Sequence, residues 1–238
     1  MPDNATPLIL LTRPRAQGAR FGALCKAEFG TRAEVMQAPM QEIVWTRPSP
    51  ALPKDAALIF TSENGVRAAL RAGAGKGANR RAYCIGTRTA EVARKAGFDA
   101  VSADGTMEDL AALILQLPPG GPLVHLHGAF VRGDLAGQLA AAGLPATGHV
   151  VYEQRALPLE PEARAALASP RRVIAPLFSP RSARLLADAA PEMDNTALPC
   201  ISKATQDCLP EALRHRATIS DEPTGAAMLI AVARQLCP

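Results

Sequence analysis

The segments Ile59-Phe-Thr-Ser-Glu-Asn64 and Leu177-Phe-Ser-Pro-Arg-Ser182 share one pattern, in which an apolar run precedes a hydroxyl-bearing turn and the start of a helical stretch. Two more pairs follow this pattern in the same order along the chain: Leu8-Ile-Leu-Leu-Thr12 with Leu123-Val-His-Leu-His127, and Cys84-Ile-Gly-Thr-Arg-Thr89 with Cys200-Ile-Ser-Lys-Ala-Thr205. The members of each pair lie about 115 residues apart. Three matched units in one order predict an internal duplication that gives two similar α/β domains.

Short apolar runs alternate with Ala- and Leu-rich helical stretches along the rest of the chain. The predicted strands cover residues 8–11, 57–60, 83–85, 123–126, 173–178 and 199–201. The predicted helices cover residues 16–28, 64–72, 89–96, 107–116, 134–142, 182–189 and 226–236. Because such alternation is typical of parallel sheets covered by helices, each domain is predicted to be a parallel-sheet α/β/α sandwich.

Two stretches depart from this rhythm, residues 39–45 and 149–155. Both are rich in β-formers and polar at alternate positions, which is typical of extended segments that cross between domains. We therefore expect these two stretches to be linker strands. Residues 46–148 then form one α/β domain, and residues 1–38 with 156–238 form the other, discontinuous domain.

Composition excludes several classes of protein. The 238 residues are 48% hydrophobic and carry a formal net charge of +4. The sequence contains no block of five like charges, which argues against a nucleic-acid-binding tail. No apolar run of about 18 residues and no signal peptide is present, which predicts a cytoplasmic protein without membrane contact. The five cysteines, Cys25, Cys84, Cys200, Cys208 and Cys237, lack C-x-x-C spacing, which argues against a disulfide scaffold or a zinc site.

Hydroxyl and glycine residues follow the predicted strands and open the helices. They are Thr12, Thr61, Ser62, Gly86, Thr87, Thr89, Ser179, Ser182, Ser202 and Thr205. A helix N-terminus presents unpaired N–H groups and the positive end of the helix dipole, so each turn is a candidate anion site. Taken singly, each hydroxyl is better explained as a helix N-cap. Their repetition in both predicted domains, at the carboxyl ends of the strands, favours anion binding.

Familiar catalytic signatures are missing from the sequence. The segment Gly73-Ala-Gly-Lys-Gly77 follows a helix and lacks the Gly-Lys-Ser/Thr ending of a phosphate loop, so we interpret it as a connection. No G-x-G-x-x-G follows the first strand, where Thr12-Arg13-Pro14 stands instead. His125 and His127 lie on an apolar strand and are predicted to be packed or hydrogen-bonded rather than catalytic.

An ordered set of short blocks resembles the uroporphyrinogen-III synthase family. The blocks are Leu10-Leu-Thr-Arg-Pro14, Ile59-Phe-Thr-Ser-Glu-Asn-Gly-Val66, Ile85-Gly-Thr-Arg-Thr-Ala90, the turn from Gly128 to Arg132, Val151-Tyr152, Phe178-Ser-Pro180 and Glu222-Pro-Thr224. The resemblance spans nearly the whole chain. It implies two α/β domains joined by a two-stranded β linker, with an active site in the cleft between them, no cofactor, no metal and a monomeric state.

The resemblance also implies a reaction. The substrate would be hydroxymethylbilane, a linear tetrapyrrole with an acetate and a propionate on every ring. Loss of its terminal hydroxyl, closure through a spiro intermediate and inversion of ring D would give uroporphyrinogen III. Unassisted closure gives the symmetric type I isomer, so the chief task of the protein would be to hold one reactive conformer.

Site residues carry over by the same resemblance. Tyr152 is the candidate general acid for the departing hydroxyl. Thr89, Ser179 and Thr205 would face the substrate. Thr12, Arg13, Ser62 and Gly86 would help to bind its carboxylates. Arg13 could equally pin a linker to a domain, and Arg132 could be structural.

Two features depart from the family pattern, and one alternative function stays open. Ser202 stands where a glycine usually follows the isoleucine, and Pro210 interrupts the helix after Thr205, which should start late or bend.

The alternative function is that of a two-domain cytoplasmic sensor that binds an anionic small molecule without chemistry. A nucleotide-dependent transferase would need the missing phosphate loop.

Overall fold

The computed structural model describes residues 6–74, 79–130 and 133–236. Part of the glycine-rich connection at 73–77, part of the turn at 128–132, and Cys237 lie outside these residues. The chain divides into two compact units, of which unit 1 comprises Met1–Glu42 and Arg155–Pro238 and unit 2 comprises Ile43–Gln154. Among the described helices, none has the length and apolar character needed to cross a membrane.

Strands and helices alternate along most of the described chain. The strands are β1 Leu8–Leu11, β2 Glu34–Gln37, β3 Gln41–Trp45, β4 Ala57–Phe60, β5 Arg81–Cys84, β6 Asp99–Ser102, β7 Leu123–Gly128, β8 Ala146–Ala156, β9 Val173–Ile174, β10 Thr196–Cys200 and β11 Ala217–Ile219. The helices are α1 Arg15–Phe29, α2 Glu63–Arg71, α3 Thr87–Lys95, α4 Met107–Gln116, α5 Leu135–Ala141, α6 Pro161–Leu167, α7 Pro180–Ala189, α8 Lys203–Gln206, α9 Glu211–Arg214 and α10 Gly225–Leu236. A short 3₁₀ turn, Gly30–Arg32, follows α1.

The sheet of unit 1 has the strand order β11-β10-β9-β1-β2, and each neighbouring pair is parallel. The second sheet has the order β3-β8-β7-β4-β5-β6, in which β8 through β6 are parallel. The edge strand β3 runs antiparallel to β8, because Thr46 N–H donates to Val151 O while Leu157 N–H donates to Met40 O. These sheets confirm the predicted pair of parallel α/β layers.

The two sheets also confirm the internal duplication. The sequence repeats equate β1 with β7, β4 with β9 and β5 with β10. With these equivalences, the order β11-β10-β9-β1-β2 in one sheet matches β6-β5-β4-β7-β8 in the other, strand for strand. One supersecondary plan is therefore used twice.

Each sheet is covered on both faces, as side-chain alternation in the central strands requires. Leu58 and Phe60 of β4 belong to one buried cluster, while Ala57 and Ile59 belong to another. In unit 1, Leu8 and Leu10 of β1 face one cluster, and Ile9 and Leu11 face the other. Successive side chains of a strand point to opposite faces, so a central strand covered by helices on both sides must be apolar throughout.

Several predicted elements need correction. The predicted strand 173–178 is only Val173–Ile174, because Pro176 has no N–H to continue the ladder; pairing resumes at a bridge from Leu177 to Cys200. Pro210 caps α9, so the helix predicted after Thr205 is split into two four-residue helices. The predicted linker strand 149–155 begins earlier, at Ala146, since it first pairs with β7.

Candidate functional site

Each sheet contains one topological switch point, where neighbouring strands lead to connections that leave in opposite directions. In unit 2 these strands are β4 and β7, and in unit 1 they are β1 and β9. Open α/β sheets bind ligands at this position, outside the carboxyl ends of the strands. The residues that follow these four strands are therefore the candidate site residues.

Tyr152 and Ser62 meet at the switch point of unit 2. Ser62 follows β4 and caps α2, where its hydroxyl accepts a bond from Gly65 N–H. Tyr152 lies on β8 beside the end of β7, and its phenol oxygen is 2.9 Å from Ser62 Oγ. The tyrosine is 7% exposed, and its ring packs edge-on against Trp45 with centroids 6.2 Å apart. The ring is thus fixed by packing and its hydroxyl by a hydrogen bond.

A buried histidine supports the turn that carries Ser62. His125 on β7 is 2% exposed, and its Nε2 lies 3.2 Å from Thr61 Oγ1. Burial lowers the pKa of His125 to about 4, and nearby His127 contributes to the lowering. The imidazole is therefore neutral near pH 7, and the prediction that this histidine is packed and hydrogen-bonded is confirmed.

The switch point of unit 1 brings Arg13 onto an aromatic ring. The Arg13 guanidinium carbon lies 3.9 Å from the centroid of Phe178, which follows the bridge residue Leu177. Phe178 also packs edge-on against Phe21, with centroids 4.9 Å apart. Such stacking fixes the position of the guanidinium over the ring.

The hydroxyl residues predicted in these turns differ in exposure. Thr12, Thr89 and Thr205 are buried, at 1%, 7% and 0% exposed. Thr205 Oγ1 lies 3.2 Å from Ser202 Oγ, which caps α8. Thr12 Oγ1 is buried without a hydrogen-bond partner in the described part of the chain. These three side chains face the protein interior.

Two helix N-termini contrast sharply. At α7, Ser179 and Ser182 form a capping box that satisfies both of their backbone N–H groups, and Pro180 has none. At α3 the N-cap is Gly86, which makes no side-chain cap bond. A Cβ built on Gly86 meets no atom within 4 Å, so the space beside the N-cap of α3 is open to an approaching anion, while the Thr87 hydroxyl in the first turn donates to Asp104 Oδ1.

The amino-terminal edge of the second sheet holds a cavity of about 610 Å³ lined by Lys54, Arg80, Arg81 and Tyr83, among others. The Tyr83 hydroxyl donates to Leu117 O, so this tyrosine serves the structure. Ligands in open α/β sheets bind at the opposite edge. Among the described residues, no group of three or more His, Cys, Asp or Glu side chains could hold a metal ion.

The structure thus places Ser62 with Tyr152, with Gly86 opening α3, at the carboxyl edge of one sheet. It places Thr12, Arg13, Ser179 and Thr205 at the carboxyl edge of the other. Sequence reasoning missed the roles of Trp45 and Phe178, whose rings pack against Tyr152 and Arg13. Lone aromatic residues carry no spacing signal that could have identified these contacts.

The model of the family described as uroporphyrinogen-III synthase HemD matches residues 24–230. The chain belongs to the uroporphyrinogen-III synthase family. The match spans both switch-point edges except for β1 and the turn that follows it.

A solved uroporphyrinogen-III synthase shares the fold. The structure from Helicobacter pylori 26695 is 18% identical, covers 96% of this chain and 99% of its own, and gives a TM-score of 0.65. A mutant synthase from the extremely thermophilic bacterium Thermus thermophilus is 17% identical, covering 98% of this chain and 99% of its own, with a TM-score of 0.48. No curated protein sequence matches the chain significantly.

Proposed function

We propose that this chain is a uroporphyrinogen-III synthase that closes hydroxymethylbilane with loss of water and inversion of ring D. The observation that carries the proposal is the family match over residues 24–230. The paired hydroxyls of Tyr152 and Ser62 at a switch point support it, because a ligand site in this fold belongs at that position.

Tyr152 is proposed as the general acid. Its phenol is held by Ser62 and its ring by Trp45, so the hydroxyl has one defined position from which to donate to a leaving hydroxyl. Burial of the ring removes competing water from most of its surface, which strengthens a hydrogen bond to the developing charge. Tyr83, the other tyrosine of the sequence, is engaged with Leu117 O.

The substrate carboxylates are proposed to bind at the helix N-termini and at Arg13. The open first turn of α3 behind Gly86 is the strongest of these sites, because neither a side-chain cap nor a steric obstacle occupies it. Ser62 adds a hydroxyl, and Arg13 adds a charge oriented by Phe178. Ser179 contributes less, because its turn is closed by its own capping box.

Thr12, Thr89 and Thr205 are proposed to act indirectly. Their buried side chains shape the turns, while the exposed backbone of those turns meets the substrate. Catalysis then comes mainly from holding one conformer of a flexible polyanion, which removes the freedom that lets unassisted closure give type I product.

The test is incubation with enzymatically generated hydroxymethylbilane, followed by separation of the product isomers. Type III product in excess supports the synthase. Type I product alone, with the substrate bound to the protein, would overturn it in favour of a sensor that binds the same anion. A cytoplasmic location and a monomeric state stay predictions, the latter testable by light scattering on the purified protein.

A further inference from the structure

Gly128 ends β7 at the place where its register with β8 shifts, and it pairs with Tyr152. A Cβ added to Gly128 would lie 2.7 Å from Cε2, 2.8 Å from Cζ and 3.0 Å from the hydroxyl oxygen of Tyr152. Carbon contacts of that length lie inside the repulsive wall, since optimal separations are about 3.5–4.0 Å. The tyrosine ring therefore occupies the space that any other residue at position 128 would need for its own side chain.

Backbone conformation does not explain the glycine. The positive-φ glycines among the described residues are Gly30, Gly73, Gly97, Gly133 and Gly143, and Gly128 is not one of them. An alanine would be compatible with the backbone at this position. The contact with the ring is thus the reason that a side chain is excluded.

Tyr152 is held at three further points, two on its side chain and one on its main chain. Trp45 packs against it edge-on, Ser62 Oγ bonds its hydroxyl, and Ala129 N–H donates to the Tyr152 carbonyl at 2.9 Å. A methyl group at position 128 would therefore push the end of the ring that carries the hydroxyl. Because the main chain is tied on both sides of the pair, the displacement falls on the phenol oxygen.

We propose that Gly128 is a positioning residue that sets the Tyr152 phenol for its role in ring closure. The inference rests on the proposed function, in which that phenol is the acid. Gly128 touches no reacting atom and acts through the tyrosine alone. Because Gly128 has no side chain, it leaves a slot that the Tyr152 ring fills, and this slot fixes the position of the phenol hydroxyl relative to Ser62.

The test is a double-mutant cycle in the full chain with wild type, Gly128→Ala, Tyr152→Phe and the double variant. Gly128→Ala is expected to lower kcat for type III product about tenfold or more, since small misplacements are costly, with little change in KM. In the Tyr152→Phe background the same alanine should change kcat less than about twofold, because no hydroxyl is left to misplace. Equal losses in both backgrounds, or no loss in either, would overturn the proposal.

Gly120→Ala is the matched control, because a Cβ on Gly120 meets no atom within 4 Å and its backbone is not in the positive-φ region. It should leave kcat and melting temperature unchanged. If Gly128→Ala fails to fold, its effect is measured in the Tyr152→Gly background, where the ring is absent and the alanine should cost no stability beyond that of Tyr152→Gly alone. A further loss of stability in that background would show that the methyl group strikes something else, and would also overturn the proposal.

Failure of the proposed function has a different signature. If Tyr152→Phe forms type III product at the wild-type rate, the acid role of the phenol is lost. The slot itself is then still judged by stability: Gly128→Ala should destabilise the wild type far more than the Tyr152→Gly variant. Additive losses of melting temperature would reject the slot independently of any activity.

Discussion

Removing one oxygen atom from Tyr152 separates its packing from its chemistry. Tyr152→Phe keeps the contact with Trp45 and loses only the bond to Ser62, so the melting temperature should stay within a few degrees of wild type. We expect type III product to form at least about tenfold more slowly, a barrier increase of about 1.4 kcal/mol. Wild-type turnover would reject the acid role, and a large fall in melting temperature would favour a purely structural role.

His125 should leave a signature in the pH dependence of stability. Its folded pKa is about 4 against an ordinary value of 6.5, because burial disfavours the charged ring. As the pH falls, His125 is therefore protonated in the unfolded chain before it is protonated in the folded protein. The contribution of the neutral imidazole to the free energy of unfolding is full above pH 6.5 and is lost as the pH falls toward 4. The loss amounts to about 3 kcal/mol.

The measurement is the free energy of unfolding of wild type and His125→Gln between pH 4 and 7. The glutamine amide reaches the position of Nε2, which bonds Thr61 in the wild type, but it does not titrate in this range. The free energy of unfolding of the wild type, relative to that of the variant, should fall by about 3 kcal/mol as the pH falls from 6.5 to 4. A difference that stays constant across this range would contradict the account of a buried neutral imidazole.

At the level of single residues, sequence reasoning could name Tyr152 and Ser62 but could not pair them. The two lie 90 positions apart, and only the sheet order that sets β7 between β8 and β4 brings them together. The burial of Thr89 and Thr205 was equally invisible. A hydroxyl at the third position of a helix turns back toward its cap, and sequence alone does not tell which side of the turn is open.

Two helix caps of one type allow a matched comparison at the level of elements. Ser179 with Ser182 opens α7, and Thr106 with Asp109 opens α4, each through a capping box. Ser179→Ala and Thr106→Ala should each cost about 1 kcal/mol of stability. Thr106→Ala should keep full activity, while Ser179→Ala should lose no more than about tenfold, since its turn is closed upon itself. A folded but inactive Ser179→Ala would instead indicate direct chemistry.

Activity should be more sensitive to substitution at the open N-terminus of α3 than at the N-terminus of α7. Gly86 is extended, with φ −143°, and has free space where a side chain would stand, so Gly86→Leu should cost less than about 1 kcal/mol of stability. A leucine there would keep a carboxylate away from the backbone amides, and KM should rise about tenfold. Gly120→Leu serves as control. Unchanged KM in Gly86→Leu would remove this turn from the binding site.

Elements with strong patterns were predictable, whereas edge strands were not. The all-apolar strands β1 and β4 and the helix α4 agree with the sequence prediction to the residue. The edge strands β2, β6 and β11 were missed because one or both faces meet solvent, which leaves no apolar run to read. The four-residue helices α8 and α9 result from Pro210 and lie below the length at which periodicity is visible.

At the scale of the molecule, the repeat in sequence was enough to predict the repeat in fold. The matched segments identified β4 with β9 and β5 with β10, and both sheets share one strand order. The unit boundaries, after Glu42 and Gln154, fall inside β3 and β8 rather than beside them. An extended segment that connects the two units and also pairs in a sheet has the same sequence pattern as a linker that only connects them.

The most direct test of the synthase assignment is the isomer composition of the product as a function of protein concentration, at a fixed amount of hydroxymethylbilane. Unassisted closure and the protein compete for the same substrate. The account predicts that the type III fraction rises steadily with protein concentration and that type I falls in step. A product that stays type I at every concentration, including protein in excess over substrate, would contradict it.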